Sequence, residues 1–245
     1  PREGATWRAE QLTYLAKILH ERNTSKVFAD LIFSAEEELK DFNSTDKDTF
    51  KTKKKNIQLL KKELDRQKKI DPILVERLAR AKSRGYESWQ QAKRDSDYQI
   101  FLPDFRELIQ LRIEEAKQIS NKLTPWETLA QPYEPDISKE WLFKIFNPLK
   151  EVIPSMLENI KKVKRYKWDL DQNSQKYLCE KLLDVFGRDK NLVAVAESPH
   201  PFSITLGPKD YRITTRIVKG EPFSSFLATA HEWGHSIYEQ GLPSQ

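Results

Sequence analysis

Hydrophobic residues recur at helical spacing through the first two-thirds of the 245-residue chain. Because residues three and four apart share one side of an α-helix, this spacing predicts a series of amphipathic helices. Thr6 can cap the first helix and Ser25 the second. The first has a broad apolar face of Trp7, Leu12, Leu15, Ile18 and Leu19, and the second has a core stripe of Phe28, Leu31, Ile32 and Leu39.

A highly charged helix is predicted from about Asp46 to Lys69. Its apolar seam is narrow and consists of Ile57, Leu60 and Leu64. Such a seam favours a coiled-coil pair within the fold over a solenoid, and no sequence unit repeats at a fixed period. Two further helices are predicted to start at Asp71-Pro72 and at Leu102-Pro103-Asp104, because proline is favoured in the first turn of a helix.

Proline also marks the middle of the chain. Residues 124–137 form a predicted linker, and a helical stretch is predicted from Ser138, with kinks or restarts at Pro148 and Pro154. The next predicted helix runs from about Gln172 to Phe186 and ends at Gly187, since glycine is favoured just after a helix.

After Gly187 the pattern changes to short runs rich in β-branched residues, at 192–195, 202–206 and 211–217. They predict strands, and residues 207–210 (Gly-Pro-Lys-Asp) predict a turn between two of them. A final helix follows from about Pro222, and its expected core residues are Phe226, Leu227, Ala230 and Ile237. The predicted fold is therefore mostly α: long amphipathic helices with a small antiparallel β-sheet inserted before the last helix. Within one domain we expect a helical region at 1–187, the sheet at 188–220 and the last helix at 221–240.

Composition supports a helical fold and narrows the choice of partners. The chain is 32% charged and has only 7 glycines, which is typical of helices rather than of a sandwich or barrel. Much of the net charge of +5 comes from basic runs at 51–55 and 161–165, but no aromatic residues are interleaved with them. Solvated helix faces are therefore favoured over a nucleic-acid surface.

Membrane attachment and secretion are not expected, because the sequence has no membrane-length apolar run and no secretory signal near Pro1. The single cysteine, Cys179, cannot form an internal disulfide. A reducing compartment, the cytoplasm, is the expected location.

Candidate chemistry is concentrated in the last helix, at His231-Glu232-Trp233-Gly234-His235. Residues i and i+4 share a helix face, so both imidazoles can reach one zinc ion while Glu232 stays free to act as a general base on activated water. The alternative is a pair of structural histidines. It is disfavoured because two of only four histidines in the chain have this spacing. The motif predicts a zinc hydrolase.

A catalytic zinc normally has three protein ligands and one open position. Glu239 is excluded as the third ligand because it lies about 12 Å along the helix axis from His231. The acid or imidazole candidates elsewhere in the chain are Glu197, His200 and Asp210.

Two of these candidates have open alternatives. Asp210 alternates with Arg212 and Thr214 along one strand face, which indicates either a row beside the site or an ordinary polar surface. His200, followed by Pro201, is either functional or a turn residue.

Three motifs resemble the signatures of the carboxypeptidase Taq family in order and spacing. They are His200-Pro201-Phe202, the segment Asp210-Tyr211-Arg212-Ile213-Thr214-Thr215-Arg216, and the HExxH motif at 231–235 with residues 238–243 after it. Upstream, residues 8–12 (Arg-Ala-Glu-Gln-Leu), His20-Glu21 and the Tyr133-Glu134-Pro135 linker are also similar to the family. The resemblance therefore spans nearly the whole chain.

This resemblance implies a mostly helical, metal-dependent carboxypeptidase that removes C-terminal residues from peptides, typically a cytoplasmic homodimer. It implies that His231 and His235 are metal ligands and that Glu232 is the catalytic base. Residues expected to bind substrate or to support the ligands are His200, Asp210, Arg212 and Thr214. Zinc is the expected metal, and cobalt or manganese would also suit these ligands. An exopeptidase must also hold the substrate's terminal carboxylate, for which Arg212 and Arg216 are the nearest candidates.

The family's third ligand is a glutamate some way after the second histidine, which here would lie beyond Gln245. We therefore expect the chain to be part of a carboxypeptidase domain, truncated at both ends and inactive alone. Two other hypotheses stay open. One is an incomplete fragment or inactive relative that acts as a scaffold or dimerisation protein. The other, less favoured, is a basic helical module that binds nucleic acid.

Overall fold

The structure, a computed structural model, describes residues 4–40, 47–160 and 170–242. Within these residues the chain forms nine α-helices and three β-strands. The helices are α1 (Ala5–Thr24), α2 (Lys26–Lys40), α3 (Lys47–Gln67), α4 (Pro72–Asp95), α5 (Leu102–Ile119), α6 (Pro125–Ala130), α7 (Lys139–Glu158), α8 (Gln172–Val185) and α9 (Pro222–Gln240). The strands are β1 (Val193–Glu197), β2 (Ser203–Gly207) and β3 (Asp210–Thr215). The mostly helical prediction is confirmed; the basic run at 161–165 and Asp46 lie outside the described residues.

The chain divides into two compact units, Pro1–Asn159 and Ile160–Gln245. The first contains α1 to α7, and the second contains α8, the sheet and α9. One domain spanning all 245 residues stays a prediction. Among the helices in the described ranges, none is both long and apolar enough to cross a bilayer.

Helix α4 is the centre of the first unit, where it packs against both α1 and α5. It starts as predicted: the Asp71 side chain accepts a hydrogen bond from the Ile73 backbone N–H at 2.8 Å, and Pro72 is in the first turn. A Cβ at Gly85 would lie 2.8 Å from Leu108 Cδ1, so glycine lets α5 approach α4 closely. The buried cluster between them comprises Ile70, Leu74, Leu78, Ala81 and Leu111.

The charged helix α3 packs against α2, in agreement with the predicted helix pair. Of its three seam residues, Leu64 is buried, Ile57 is half-buried and Leu60 is exposed. Lys61 Nζ lies 2.6 Å from Glu36 Oε2 on α2, so ionic contacts accompany this thin apolar seam.

Part of the predicted linker is a short helix. Thr124 and Glu127 form a capping box, in which the Glu127 backbone N–H donates to Thr124 Oγ1 and the Thr124 backbone N–H donates to Glu127 Oε2. Two satisfied backbone donors are enough to start α6 within the Pro-rich segment. Helix α7 begins after its predicted cap, Ser138, and continues through Pro148 and Pro154 without a restart.

The predictions for α1 were wrong in two respects. The helix begins at Ala5, after Gly4, with no side-chain cap, so Thr6 lies within it. Its apolar face is not the packed one: Trp7, Leu15 and Leu19 are 71%, 59% and 60% exposed. The buried residues are Ala9, Thr13 and His20. Small residues on the opposite side allow α1 to lie close to α4, and this leaves the large apolar residues outward.

The small sheet is mixed rather than wholly antiparallel, with strand order β1-β3-β2. β2 and β3 pair antiparallel across the predicted turn, but β1 pairs parallel with β3. The loop from Ser198 to Phe202 makes this arrangement possible because it crosses the end of β3, where the Ser198 N–H donates to Thr215 O and the Thr214 N–H donates to Phe202 O.

The second unit has its own hydrophobic core, in which Leu183 of α8, Val193 of β1, Ile213 of β3 and Trp233 of α9 form a buried cluster. Leu183 is 0% exposed. Trp233 lies within the HExxH motif, so the motif's helix is held to the sheet by one of its own residues.

We predict that Leu183→Ala lowers the free energy of unfolding by about 2–5 kcal/mol, because it leaves a cavity in this cluster. Val185→Ala is the matched control on the same helix, since Val185 is 82% exposed; its expected effect is below about 0.5 kcal/mol. Urea unfolding followed by circular dichroism measures both variants. Equal losses for the two would contradict the assigned core.

Candidate metal centre

Helix α9 carries the HExxH motif and packs against α8, β2 and β3. Its buried residues are Pro222, Ser225, Thr229, Glu232, Trp233 and Ser236. This differs from the sequence-based expectation: Leu227 and Ile237 are exposed, and Phe226 and Ala230 are only half-buried. The packed side of α9 is therefore largely hydroxyl-bearing rather than aliphatic.

A buried hydrogen-bond network explains how this polar side can be packed. Thr229 Oγ1 donates to Ser225 O at 2.8 Å and lies 2.8 Å from Thr215 Oγ1 of β3. Ser225 Oγ donates to Gln175 Oε1 of α8 at 2.9 Å. Gln175, 1% exposed, donates through Nε2 to Leu170 O and Val218 O. Because the polar groups satisfy one another, the network ties α8, β3 and α9 together without a burial penalty.

Cys179 of α8 lies beside this network. The thiol is buried, and burial raises its pKa, while a hydrogen bond with the Thr229 side chain acts in the opposite direction. A thiol with a raised pKa is a poor nucleophile, which agrees with its interpretation as a small core residue.

His231 and His235 face the exposed side of α9, one turn apart. Their Nε2 atoms are 3.1 Å apart, and the ring planes meet at 85° with centroids 4.8 Å apart. The two Nε2 atoms therefore lie on the same exposed side of α9, within hydrogen-bond distance of each other.

This geometry fits a shared metal ion. Two nitrogens bound at about 2.0–2.1 Å to one tetrahedral zinc stand about 3.3 Å apart, close to the observed separation. Neutral imidazole nitrogen is also a ligand type that zinc, cobalt and manganese accept. The assignment of His231 and His235 as metal ligands stays a prediction.

Glu232 occupies the boundary between the buried and exposed sides of α9. It is 7% exposed, and its carboxylate makes no hydrogen bond or ion pair with any residue that the structure describes. A carboxylate in this condition is available as a proton acceptor, and Glu232 directly follows His231 in the sequence.

The described residues contain no cluster of three or more His, Cys, Asp or Glu side chains that could hold a metal ion. None of the candidates Glu197, His200 and Asp210 is thus brought together with the histidine pair. The position of the third ligand after Gln245 stays a prediction.

The His200-Pro201-Phe202 loop is fixed by Thr214. The buried Thr214 Oγ1 accepts a hydrogen bond from the Phe202 backbone N–H at 2.9 Å and lies 2.6 Å from Ser198 Oγ. Ser198 Oγ in turn donates to His200 O at 2.5 Å. His200 itself is exposed, with Nδ1 2.5 Å from Pro201 O. Within the described chain, Thr214 and Ser198 hold the loop at the end of β3.

Asp210 and Arg212 form an exposed two-hydrogen-bond ion pair on β3, with N–O distances of 2.9 and 3.0 Å. The hydrogen bond from Arg212 lowers the pKa of Asp210, and the same contact raises the pKa of Arg212. The guanidinium is already engaged, so it must leave Asp210 before it can bind a substrate carboxylate with the same fork.

Sequence reasoning missed Gln175, Ser225 and Thr229, which position the motif without belonging to it. One signal was present in the sequence. Ser225, Thr229 and Ser236 lie four and seven residues apart, so these three hydroxyl-bearing residues share one face of the helix. Gln175, 50 residues before Ser225, carried no comparable local signal.

Comparison with known proteins shows the family of the chain. The family model described as carboxypeptidase Taq (M32) metallopeptidase matches residues 1–245. The chain is 28% identical to thermostable carboxypeptidase 1 of Thermus thermophilus, covering 100% of this chain and 50% of that protein. It is also 28% identical to carboxypeptidase 1 of Bacillus subtilis, covering 99% and 48%.

Solved structures show the same fold. The crystal structure of BsuCP superimposes with a TM-score of 0.87 at 27% identity, over 100% of this chain and 49% of that one. Trypanosoma cruzi metallocarboxypeptidase 1 gives a TM-score of 0.77 at 26% identity, over 100% and 49%. The family model and the shared fold thus define the class as a metallopeptidase. The chain belongs to the carboxypeptidase Taq (M32) metallopeptidase family, whose members depend on a metal. It spans about half the length of the curated relatives it matches.

We predict that Thr229→Val lowers the free energy of unfolding by about 1–3 kcal/mol, because it keeps the shape of the side chain but leaves its buried partners without a hydrogen bond. Urea unfolding followed by circular dichroism measures the change. Thr205→Val on the exposed face of β2 is the control, with an expected change within about 0.5 kcal/mol. If Thr229→Val were as mild as this control, the network would not be what holds α9.

Proposed function

We propose that the chain supplies the general base and two metal ligands of a carboxypeptidase that releases C-terminal amino acids from peptides. The observation that carries the proposal is the pair of Nε2 atoms 3.1 Å apart on His231 and His235, with Glu232 between them in sequence. The names of the relatives, carboxypeptidase 1 and thermostable carboxypeptidase 1, support the reaction type.

In this proposal, His231 and His235 hold the metal through Nε2, and the carboxylate of Glu232 handles protons. A divalent cation at this position would supply Lewis-acid activation of water and of the scissile carbonyl. Glu232 removes a proton from the attacking water and then donates it to the leaving amine. Its burial without a hydrogen-bond partner in the described chain leaves both carboxylate oxygens open for this transfer.

The substrate's terminal carboxylate requires a cationic partner, and Arg216 is better suited to this role than Arg212. Arg212 is paired with Asp210. Arg216 is half-buried and has no ion pair within the described residues. It follows Thr215, whose hydroxyl donates to Ser225 O of α9, so its backbone is held next to the motif's helix. We assign Asp210, Thr214 and His200 to support of the surrounding loop and strand.

Three finer features of the proposal depend on the family resemblance: zinc as the metal, with cobalt or manganese as alternatives, a homodimer as the working assembly, and the cytoplasm as its location. The imidazole pair suits all three metals. Neither a nucleic acid nor a membrane has a part in this function.

One observation favours a second candidate function. The described residues provide only two of the three ligands of a catalytic zinc, so a protein consisting of this half alone would be catalytically incomplete. Such a protein would act as a scaffold or dimerisation partner for related chains.

We predict that Glu232→Gln in the full-length protein reduces kcat by about 10²–10⁴-fold, because the amide cannot accept a proton. Metal content, measured by plasma emission spectrometry, should be unchanged, since the two imidazoles remain. Glu239→Gln is the matched control: it lies on the same helix, is exposed, and should retain normal activity. Turnover close to wild type in Glu232→Gln would eliminate this residue as the base.

We also predict that residues 1–245 prepared alone are folded but hydrolyse no peptide, whereas the full-length protein does. The physical reason is the incomplete ligand set. Far-ultraviolet circular dichroism establishes that the fragment is helical, and release of the C-terminal residue from a blocked dipeptide measures activity. A helical fragment with the full-length rate would show that the two histidines suffice.

A further inference from the structure

Helix α7 has an unusual surface for a helix of its length: none of its residues is buried. Only Leu142 is half-buried, and the side chains from Phe143 to Glu158 are all exposed. They include large apolar residues, among them Phe146 (50% exposed), Ile153 (46%) and Met156 (61%). Exposure of apolar side chains to water is unfavourable in free energy. Contiguous apolar patches of several hundred Å² typically mark interaction sites.

The apolar residues of α7 are arranged as a seam. Their spacing alternates between four and three residues, at Leu142, Phe146, Leu149, Ile153 and Met156. This is the spacing with which one helix packs along another, and over 20 residues it extends for about 30 Å. The partner that fits it is therefore another helix of comparable length.

The polar side of α7 argues against a membrane as the partner. Outside the seam, α7 carries three basic residues, Lys139, Lys144 and Lys150, and three acidic ones, Glu140, Glu151 and Glu158. Helices that lie on lipid surfaces usually have a strongly basic polar face, because the lipid headgroups are often anionic. A helix with balanced charge is suited to a protein neighbour.

We infer that the apolar seam of α7 packs against a helix in the half of the protein that the curated relatives have and the 245 residues do not include. The match with the Thermus relative spans 100% of this chain but only 50% of that protein. The match with the Bacillus relative spans 99% of this chain and 48% of that protein. The relatives are about twice as long as the chain, so a matching remainder of the same polypeptide would supply this neighbour without a separate association step. This inference does not rest on the proposed catalytic role, since an inactive full-length protein would pack in the same way.

Photocrosslinking in the full-length protein tests the inference. p-Benzoylphenylalanine replaces Phe146 on the seam, and in a matched control it replaces Glu151 on the polar side of the same helix. After irradiation, crosslinked peptides are mapped by mass spectrometry. We expect the probe at position 146 to crosslink to residues after 245. The probe at position 151 should not give this product. A second seam variant at Met156 provides the same reading if the substitution at 146 prevents folding.

Other outcomes overturn the inference. Crosslinks from the seam to residues 170–242 would mean that the second unit of this chain covers α7. Crosslinks to residues 1–245 of another molecule, identified with a mixture of isotope-labelled and unlabelled protein, would mean a second copy does. Equal products at 146 and 151, no products at all, or a gene that encodes nothing beyond Gln245 would each exclude the proposed neighbour.

Discussion

The hydroxyl and amide network between α8, β3 and α9 is the constraint on which the candidate site depends. Hydrophobic contact is not directional, so Trp233 alone would hold α9 to the sheet without fixing its rotation. Hydrogen bonds are directional, and those of Gln175, Ser225 and Thr229 can be satisfied together in only one rotation of the helix. Each broken bond would leave a buried group unpaired, at a cost of about 1–3 kcal/mol.

That rotation decides what the motif can do. An α-helix turns by about 100° per residue, so His231 and His235 lie roughly opposite Thr229, on the side away from the network. Glu232 lies at the edge of the packed side, which explains how it can be only 7% exposed while its neighbour in sequence, His231, is exposed. A small turn of α9 would either bury the histidines or expose the carboxylate fully. The polar packing under the helix thus sets the arrangement of the three motif residues above it.

Local sequence signals predicted the elements but not the faces on which they pack. Asp71-Pro72 and Ser138 marked helix starts, and the β-branched runs after Gly187 marked strands, because caps and propensities act within a few residues. The packed face of α1 was predicted wrongly since its contact with α4 uses Ala9 and Thr13 rather than its apolar side. For α9 the hydrophobic pattern likewise indicated Leu227 and Ile237, whereas the structure buries Ser225 and Thr229. Which strand pairs with β1, and which glutamine reaches Ser225, depends on contacts between residues far apart in the chain.

The exposed apolar side of α9 and the incomplete ligand set of the proposed metal centre have one physical explanation. Leu227 lies one turn before His231, and Tyr238 one turn after His235; they are 65% and 67% exposed. Any group that completes the coordination of a metal at the two histidines must approach from this side of α9, and it must then contact these apolar neighbours. Covering them gains free energy by removing apolar surface from water, and excluding water strengthens the electrostatic interactions of the site. In the proposed metal centre, completion of the coordination and burial of the outward apolar surface of α9 would therefore be parts of the same packing event.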